Sequence, residues 1–357
     1  MRILVTGGAG FVGACLCRSF KEEYDNCRIT AFDSLKRRGS ELNIPLLNKM
    51  GVQFIHGDIR NRSDLEDLSE TYDFLLEASA EPSVHAGTGN DSPKYLLDTN
   101  LVGTLNCLEY ARRRCGGIIF LSTSRVYSIP ALQSIRLQES NSRFIPEETG
   151  QPPGFSKAGI SEEFPTIGHG FRSFYGSSKL ASELFIEEYG ANYNYPAIVN
   201  RCGVIAGAGQ FGKTDQGVFT LWVARHMFGG SLSYTGFGGE GKQVRDLLHP
   251  RDLFELIKRQ IPRLNEFRGQ VFCAGGGVEG SVSLREYTVQ CQDATGKRIS
   301  IGTVPGTSPV DIPYFVADSS KGRKTFSWEP VISPMQIVQD IVSWLEADDH
   351  NLKPLFR

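Results

Sequence analysis

The amino-acid sequence predicts an α/β fold: a doubly wound parallel sheet with helices on both faces, followed by a smaller C-terminal domain. Short β-branched runs alternate with helical segments in the N-terminal half, and a glycine-rich turn follows the first strand. The alternation is lost after about Gly203. We therefore expect a first domain over residues 1–203 with a return segment near 246–262, and a second domain over residues 204–357.

Six segments have the length and composition of buried strands. They are Ile3 to Thr6, Arg28 to Asp33, Val52 to His56, Phe74 to Ala78, Ile118 to Ser122 and Ala197 to Arg201. Between them, apolar residues at three- and four-residue spacing predict helices. These are Val12 to Glu22, Ser63 to Leu68, Tyr95 to Arg114 and Tyr175 to Tyr189. Strands and helices in this order give a parallel sheet.

Two regions break the alternation. From Ile129 to Arg172 the sequence is polar, contains Pro and Gly, and is too long for an ordinary connection, so we expect a functional or lid-like segment. After Gly203, the pieces GAGQFGKTDQG and YTGFGGEGKQ indicate a smaller domain. Such a domain would close over the carboxyl ends of the strands, where sheets of this kind bind ligands.

Composition and charge exclude several classes of partner. The 38 Lys and Arg residues nearly balance the 40 Asp and Glu residues, so there is no broad positive field for nucleic acid or an anionic membrane. The start, MRILVTGGAG, lacks the features of a secretory signal, and we expect a soluble, cytoplasmic protein. The eight Cys form no C-x-x-C pair, which favours reduced, buried thiols over a metal site.

The segment GGAGFVG, from Gly7 to Gly13, carries the first functional motif. Its glycines allow a tight turn and let a pyrophosphate approach the backbone at the N-terminus of a helix. With 39 Gly in 357 residues, such spacing arises by chance about half a time per chain, so the strand–helix context decides. That context is present, and it predicts a dinucleotide site.

Asp33 ends the second strand, where a carboxylate binds an adenosine ribose and repels a 2′-phosphate. This favours NAD over NADP. The basic run Lys36, Arg37 and Arg38 would argue for NADP, but such a run is more often a solvated turn. Asp58, after the third strand, is placed to meet the adenine; the alternative is a helix N-cap.

Tyr175 and Lys179, in YGSSK, are four residues apart and share one helix face. An ammonium beside a phenol lowers its pKa, which makes the phenol a better general base. The alternative is an exposed helix pair. The segment STSRVY adds the hydroxyl groups of Thr123 and Ser124 at the carboxyl edge of the sheet, and this favours the catalytic interpretation.

In this order the motifs resemble the extended short-chain dehydrogenase/reductase family of nucleotide-sugar epimerases and dehydratases, which has the Rossmann fold. The resemblance covers essentially the whole chain. Within the family, the stretches FDSLKRRGSELN, EASAEPSV, FRSFYGSSKLASE, QFGKTDQG and GKQVRDLLHPRDL are most similar to the epimerases of CDP-linked deoxy sugars. The long segment from Ile129 to Arg172 is also similar to that subgroup.

The resemblance implies roles for individual residues. Tyr175 would be the base, Lys179 would hold the nicotinamide ribose, and Thr123 and Ser124 would bind the reacting oxygen. The residues implied to bind NAD are Gly7, Gly10, Phe11, Val12, Gly13, Asp33, Ser34, Asp58, Ile59, Ala78, Ser79, Ala80, Asn100, Ser122, Tyr175, Lys179 and Cys202. Those implied to bind the nucleotide sugar are Glu81, Thr123, Arg201, Gln210, Phe211, Gln216, Gln243 and Arg245. No metal ligand is implied.

Two of these positions carry further expectations. Arg245 resembles the arginine that contacts the nucleotide diphosphate, and the alternative is a salt bridge with Asp246 or Asp252. Asn100 matches a family position whose side chain more often ties the sheet together than touches ligand.

The sequence also departs from the family pattern. Sugar dehydratases carry an acidic pair after the threonine, where this chain has Ser124 and Arg125, so water elimination is not expected. Val204 stands where many members have Asn, and PGTSPVDIPYF lacks an arginine often found before the late Asp. These changes leave the sugar and phosphate contacts open.

The resemblance implies that a hydride leaves C2 of a CDP-linked 3,6-dideoxyhexose while Tyr175, as phenolate, takes the hydroxyl proton. The resulting 2-keto sugar would turn over and receive the hydride on its other face. Two alternatives stay open, a UDP- or CDP-hexose 4-epimerase and a non-catalytic dinucleotide-sensing protein. The family also suggests a homodimer or homotetramer that associates through the helices near Tyr95 to Arg114 and Tyr175 to Tyr189.

Overall fold

The computed structural model describes residues 1–212 and 216–356. Up to residue 128 the strands are β1 (Arg2–Thr6), β2 (Arg28–Asp33), β3 (Gln53–His56), β4 (Phe74–Glu77) and β5 (Ile118–Thr123). The helices of this part are α1 (Phe11–Glu23), α2 (Ile44–Lys49), α3 (Arg62–Glu66), α4 (Lys94–Leu97) and α5 (Gly103–Arg114). A π-helical turn, Asp98–Val102, joins α4 to α5 within the single helix predicted there.

The remaining elements follow in chain order. Between residues 129 and 173 they are α6 (Ile129–Gln133), β6 (Leu137–Glu139), β7 (Phe144–Pro146), β8 (Phe155–Ser156) and β9 (Gly159–Ile160). Then come α7 (Phe174–Tyr193), β10 (Ala197–Cys202), β11 (Val204–Ile205), α8 (Val218–Phe228), β12 (Leu232–Thr235), β13 (Val244–Leu248) and α9 (Pro250–Gln260). The last are β14 (Arg268–Ala274), β15 (Ser281–Ser283), α10 (Leu284–Thr295), β16 (Ile301–Val304), β17 (Tyr314–Phe315), α11 (Ser320–Phe326), α12 (Pro334–Ala347) and α13 (Asp349–Leu352).

The large sheet has seven parallel strands in the order β14-β10-β5-β4-β1-β2-β3. The predicted fold class and the six predicted strands are confirmed, with ends that differ by one residue. The seventh strand was missed. Arg268–Ala274 pairs with β10, although it lies in the range assigned to the second domain and beyond the return segment near 246–262.

Both faces of this sheet are covered by helices, as a doubly wound fold requires. One face packs against α1 and α9, where the rings of Phe20 and Phe254 meet edge to face at 5.0 Å. The other face packs against α3, α5 and α7 through residues such as Leu65, Leu108 and Ile186, all fully buried. Burying a side chain of this size stabilises the fold by about 1.5–3 kcal/mol.

A second group of elements lies over the carboxyl ends of the strands. Strand β13 pairs with β11, β15 and β17, while β12 pairs with β16. Helices α8, α10 and α12 share an apolar core with these strands. Helix α9, in the predicted return segment, packs its buried residues against the large sheet.

The segment from 129 to 172 joins the two groups instead of lying free. Arg143 forms a salt bridge of 2.8 Å with Glu286 on α10, and the ring of Phe144 contacts that of Phe237 at 6.1 Å. Its own buried residues, including Ile160 and Phe164, pack with Phe315 of β17. The functional, lid-like role expected of this segment stays a prediction.

Two features are absent from the part of the chain that the structure describes. Across 1–212 and 216–356, no helix has the length and apolar character needed to cross a membrane. Over the same ranges, no three His, Cys, Asp or Glu side chains are grouped as a metal ion would require. Residues 213–215, part of the predicted GAGQFGKTDQG segment, lie outside the described residues.

Candidate active site

A cleft of about 1300 Å³ opens at the carboxyl ends of the large sheet. Residues that follow β1 and β4 face each other across it, and the strand order reverses between these two strands. Ligands of doubly wound sheets bind at this reversal. The second group of elements supplies the opposite wall.

The predicted glycine turn forms one wall of the cleft, through Gly7, Gly10, Phe11, Val12 and Gly13. Helix α1 begins after Gly10, and no side chain of the described residues caps it. A Cβ atom on Gly13 would lie 2.1 Å from the carbonyl oxygen of Gly7, so the turn requires glycine there. The unpaired N–H groups and the helix dipole make this end suited to an anion.

Asp33 lines the cleft beside this turn, together with Ser34. Its Oδ2 accepts hydrogen bonds from the backbone N–H groups of Ala9 and Gly10, at 3.1 and 3.2 Å. Its Oδ1 accepts one from Leu35 at 2.8 Å. Burial raises the pKa of Asp33, and these hydrogen bonds oppose the rise. Each carboxylate oxygen has two acceptor sites, so capacity remains for a ribose hydroxyl.

The basic run after Asp33 lines the same part of the cleft. Lys36 and Arg38 are exposed, as a solvated turn would have them. Arg37 is half-buried and donates to the carbonyl oxygen of Phe211 at 2.9 Å and to Gln216. The interpretation as a solvated turn is therefore wrong for Arg37, which joins the two walls of the cleft.

Asp58 and Ile59 also line the cleft. The carboxylate of Asp58 binds the guanidinium of Arg60 at 2.5 Å, and this holds its pKa below the usual range although burial opposes the effect. Helix α3 begins after Asn61, so Asp58 is not its N-cap. The proposed adenine contact stays a prediction.

The loop after β4 contributes Ala78, Ser79, Ala80 and Glu81 to the cleft. Asn100 does not line it. Its side chain is buried, accepts from the N–H of Glu81 at 2.8 Å and donates to the Glu81 carbonyl at 2.9 Å. Asn100 thus holds the loop in place, in line with the structural role that the family position more often has, and its contact with the cofactor stays a prediction.

Thr123, Ser124, Tyr175 and Lys179 meet in the cleft, as predicted. Helix α7 begins beside this group because Ser173 caps it, accepting a hydrogen bond from the N–H of Gly176 at 3.2 Å. Desolvation in the cleft raises the pKa of Tyr175 to about 12, and a hydrogen bond with Thr123 opposes the rise.

The charged groups around Tyr175 differ from those expected. Among the side chains that act on its phenol by charge, Arg125 is the cation with the largest effect, and it lowers the pKa. Cys202 and Glu81 raise it. Lys179, the cation expected to tune this tyrosine, is not among its main charged neighbours. Arg125 lines the cleft too, although its sequence position indicated only the absence of an acid.

Lys179 is 1% exposed, and its Nζ lies 3.9 Å from the ring centre of Phe120. Burial lowers its pKa to about 8, and Glu77 opposes this most strongly. Glu77 pairs in register with Phe120, so both point to the same face of the sheet. Burial raises the pKa of Glu77 to about 7, and its Oε1 accepts from Thr104 at 2.5 Å.

Glu77 is a residue that the sequence analysis missed. Its Oε2 is buried and has no hydrogen-bond partner among the described residues. The signal was present, because a carboxylate ends the otherwise apolar strand FLLE. A buried acid of this kind needs a nearby positive charge, and Lys179 supplies it.

The opposite wall contains Gln210, Phe211, Gln216, Gln243 and Arg245, as predicted for the substrate side. Gln216 donates from Nε2 to Glu81 Oε1 at 2.9 Å, which links the two walls a second time. The far end is lined by residues of α8, of β12 and of the turn between them, where the sequence pattern predicted no helix or strand. They are Trp222, Arg225, Ser231, Leu232, Ser233 and Thr235.

Arg245 lies on β13 at this wall. Its guanidinium donates to the carbonyl oxygens of Val244 and Ile312, both at 2.8 Å, and lies 3.4 Å from Asp311 Oδ1. Burial lowers its pKa to about 10. The salt bridge considered with Asp246 or Asp252 is wrong, because both carboxylates accept hydrogen bonds from backbone N–H groups elsewhere.

Two predicted site residues at strand ends, Arg201 and Ser122, form hydrogen bonds within the protein, and Arg201 also faces away from the cleft. Arg201 is 7% exposed, does not line the cleft and binds Glu183 at 2.8 Å. The structure therefore does not bring Arg201 to the cleft, and its substrate contact stays a prediction. Ser122 lines the cleft, but its hydroxyl donates to Glu183. Cys202, next to Arg201, points the other way and lines the cleft.

Comparison with known proteins identifies relatives along the whole chain. The sequence profile of the NAD dependent epimerase/dehydratase family matches residues 3–275. CDP-paratose 2-epimerase of Salmonella typhi is 30% identical over 360 residues, which cover 97% of this chain and 100% of that protein.

Two solved structures resemble the fold. Pal from Bacillus thuringiensis has a TM-score of 0.78 at 24% identity and covers 97% of this chain and 99% of its own. The dTDP-glucose 4,6-dehydratase of Bacillus anthracis, solved in complex with NAD, has a TM-score of 0.73 at 25% identity and covers 99% of both chains.

Proposed function

Since the chain belongs to the NAD dependent epimerase/dehydratase family of nucleotide-sugar enzymes, we propose that it is a nucleotide-sugar epimerase that inverts C2 of a CDP-linked sugar. The observation that carries this proposal is the cluster of Thr123, Tyr175 and Lys179 in one cleft, between the glycine turn and Arg245. A base, a hydroxyl and two anion-binding ends are what such a reaction needs.

The residues of the first wall fit NAD. The uncapped N-terminus of α1 suits its pyrophosphate, and Asp33 keeps acceptor capacity for a ribose hydroxyl. The remaining residues proposed to bind it are Ser34, Asp58, Ile59, Ala78, Ser79, Ala80, Lys179 and Cys202, which all line the cleft. These residues would hold NAD so that it could supply reversible hydride transfer at one sugar carbon.

Tyr175 is proposed to accept the proton of the C2 hydroxyl and to return it when the carbonyl is reduced. The hydroxyl of Thr123, already hydrogen-bonded to Tyr175, would bind the same sugar oxygen. Lys179 would bind the nicotinamide ribose from its buried position below the cleft. Because the proton and the hydride both return, the cycle has no net oxidation.

The substrate side is proposed to hold the diphosphate and the nucleobase. Arg245 supplies a guanidinium whose hydrogen bonds to backbone carbonyls leave its charge for a phosphate. The sugar would lie between Arg245 and Tyr175, near Glu81 and Gln243. The 30% identity to CDP-paratose 2-epimerase, over the full length of that relative, favours a CDP-sugar.

A dehydratase is not proposed, although one of the similar structures is such an enzyme. Elimination of water requires an acid near the departing hydroxyl. The two residues after Thr123 are Ser124 and Arg125, and neither side chain is an acid.

The test uses the purified protein with bound NAD and CDP-paratose, and follows the sugar by NMR while absorbance at 340 nm reports NADH. We expect the C2 epimer and no accumulation of NADH. Tyr175→Phe should slow turnover by about 10²–10⁴-fold, whereas Tyr189→Phe, on the same helix but outside the cleft, should not. A 4-epimer from CDP- or UDP-hexoses would refute C2 inversion, and no epimer from any nucleotide sugar would refute the whole proposal.

Association through α5 and α7 is part of the same proposal. Val102, Leu184 and Phe185 are 42%, 45% and 42% exposed, which is unusual for large apolar side chains on neighbouring helices. A homodimer or homotetramer would bury them, and light scattering with Phe185→Asp would show a monomer. A cytoplasmic location stays a prediction.

A further inference from the structure

Arg125 is held in a fixed place beside the proposed base. Its backbone N–H donates to Thr123 Oγ1 at 3.2 Å, and its Nη1 donates to the carbonyl oxygen of Val310 at 3.2 Å. Its own carbonyl oxygen packs against Gly176, where an added Cβ atom would lie only 2.1 Å away. Gly176 follows Tyr175 in α7, so the first turn of this helix and Arg125 are in direct contact.

The charges around Arg125 leave part of its positive charge unmatched. Asp311 is the carboxylate that acts on it, and Asp311 also lies 3.4 Å from Arg245. Two guanidinium groups therefore share one carboxylate. Ionised Tyr175 would be a second negative charge for this pair, and the tyrosine in turn raises the pKa of Arg125, although burial lowers it.

The charge of Lys179 is differently placed. Glu77 is the group that most strongly supports its protonated form, and this carboxylate lies on the sheet face that α7 covers. Lys179 therefore has a carboxylate of its own, and it is not among the main charges that act on Tyr175. The other groups that face the phenol are Thr123 and Cys202 from the sheet and Glu81 from the loop after β4. Of these, Glu81 and Cys202 disfavour the phenolate.

We propose that Arg125 is a positioning residue for the reaction: its guanidinium stabilises the phenolate of Tyr175 and keeps this base against Thr123. The inference rests on the proposed function, in which Tyr175 is the base. An acid at position 125 would act in the opposite direction, because a carboxylate beside a phenol disfavours the phenolate.

The test compares Arg125→Gln with Arg125→Lys in the full-length protein with NAD bound. Ionisation of Tyr175 is followed at 295 nm as the difference between each protein and the same protein carrying Tyr175→Phe. Removing the charge should move the midpoint to higher pH by about one unit or more, since an opposite charge at short range shifts a pKa by that amount. Arg125→Lys should restore most of the shift.

A second variant keeps the test decisive if Arg125→Gln does not fold. Asp311→Asn removes the shared carboxylate and should move the midpoint of Tyr175 to lower pH. An unchanged midpoint in Arg125→Gln, or in Asp311→Asn when the first variant does not fold, overturns the inference.

The acid limb of the kcat profile should move with the midpoint in each variant. The titration needs no sugar, so its outcome is separate from that of the proposed function. A shifted midpoint in a protein that epimerises nothing would support the role of Arg125 and refute the epimerase.

Discussion

Arg201 and Arg245 lie less than fifty residues apart in the sequence. Both side chains are largely shielded from water, but their positive charges are balanced in different ways. Arg201 donates three hydrogen bonds to Glu183, at 2.8 to 3.2 Å. Burial opposes its charged form, but Glu183 and Tyr127 outweigh burial and raise the pKa. Arg245 binds backbone carbonyls and shares Asp311, and burial lowers its pKa to about 10.

This difference distinguishes an ion pair that stabilises the fold from a charged group that lines the candidate site. On the sheet face that α7 covers, Glu183 balances Arg201, so this ion pair needs no ligand. In the cleft, Arg245 and Arg125 share the carboxylate of Asp311, and we expect a bound anion or the ionised phenol of Tyr175 to balance the remaining positive charge. A buried charge that the protein does not match costs stability, which is tolerated where a ligand uses it.

The largest expected effect comes from breaking the matched pair. Glu183→Gln leaves the charge of Arg201 buried and unbalanced, and should lower the free energy of unfolding by about 3–5 kcal/mol. Urea unfolding measures it. The double variant Glu183→Leu with Arg201→Met removes both charges and should recover most of the loss. A loss below about 1 kcal/mol would mean that the pair is not structural.

Asp246, a buried carboxyl group outside the cleft, should make the stability of the fold depend on pH. Burial raises the pKa of this fully buried carboxyl from 3.8 to about 6, above its value in the unfolded chain. The folded state therefore holds the proton more tightly, and this contribution to stability is lost as pH rises from about 4 to 6.

Asp246→Asn should remove that loss. Between pH 4 and 7 the parent should lose about 3 kcal/mol of unfolding free energy relative to the variant, because only the parent has this carboxyl group. Urea unfolding at a series of pH values measures it, and the change with pH matters rather than the starting difference. Parallel curves for the two proteins would contradict the prediction.

A smaller effect is expected from the unmatched arginine. Arg245→Gln should raise KM for the nucleotide sugar about ten- to hundredfold, which corresponds to a lost charged hydrogen bond of about 1.5–3 kcal/mol. The melting temperature should stay within about 3 °C of the parent, because the charge that is removed was unfavourable in the fold. A large drop in melting temperature with unchanged KM would reverse the assignment.

The smallest effect is expected from a change at the water-exposed edge of the cleft. Arg38 lines the cleft, but its side chain is exposed to water. Arg38→Ala should change the dissociation constant for NAD by less than about threefold, since exposed charges contribute little. Titration calorimetry with NAD and NADP checks it. A tenfold change for either nucleotide would make Arg38 a binding residue.

The parts of this fold that the sequence predicts are those with local signals. The six predicted strands and the glycine turn are visible as apolar runs and spacing. Strand β14 was missed because RGQVFCA follows a region without alternation, and its partner β10 lies more than sixty residues earlier. A pairing of that kind depends on tertiary structure.

The site was predicted where side chains follow from helix or turn geometry, as with Tyr175, Lys179 and Gly13. Arg201 and Asn100 do not line the cleft, because a residue at a strand end or in a helix can face either side. Cys202 and Arg201 are neighbours on β10, yet one lines the cleft and the other binds Glu183. Glu77 and Arg125 were missed because their importance lies in charges brought from other elements.

The central claim is that one sugar carbon is oxidised and reduced in place, with Tyr175 moving the proton. The most direct measurement uses CDP-paratose carrying deuterium at C2, in ordinary water, with the epimer analysed by mass spectrometry. Return of the same hydride predicts that the epimer keeps its deuterium in full. Loss of deuterium to water would show removal of the hydrogen as a proton and would contradict the claim.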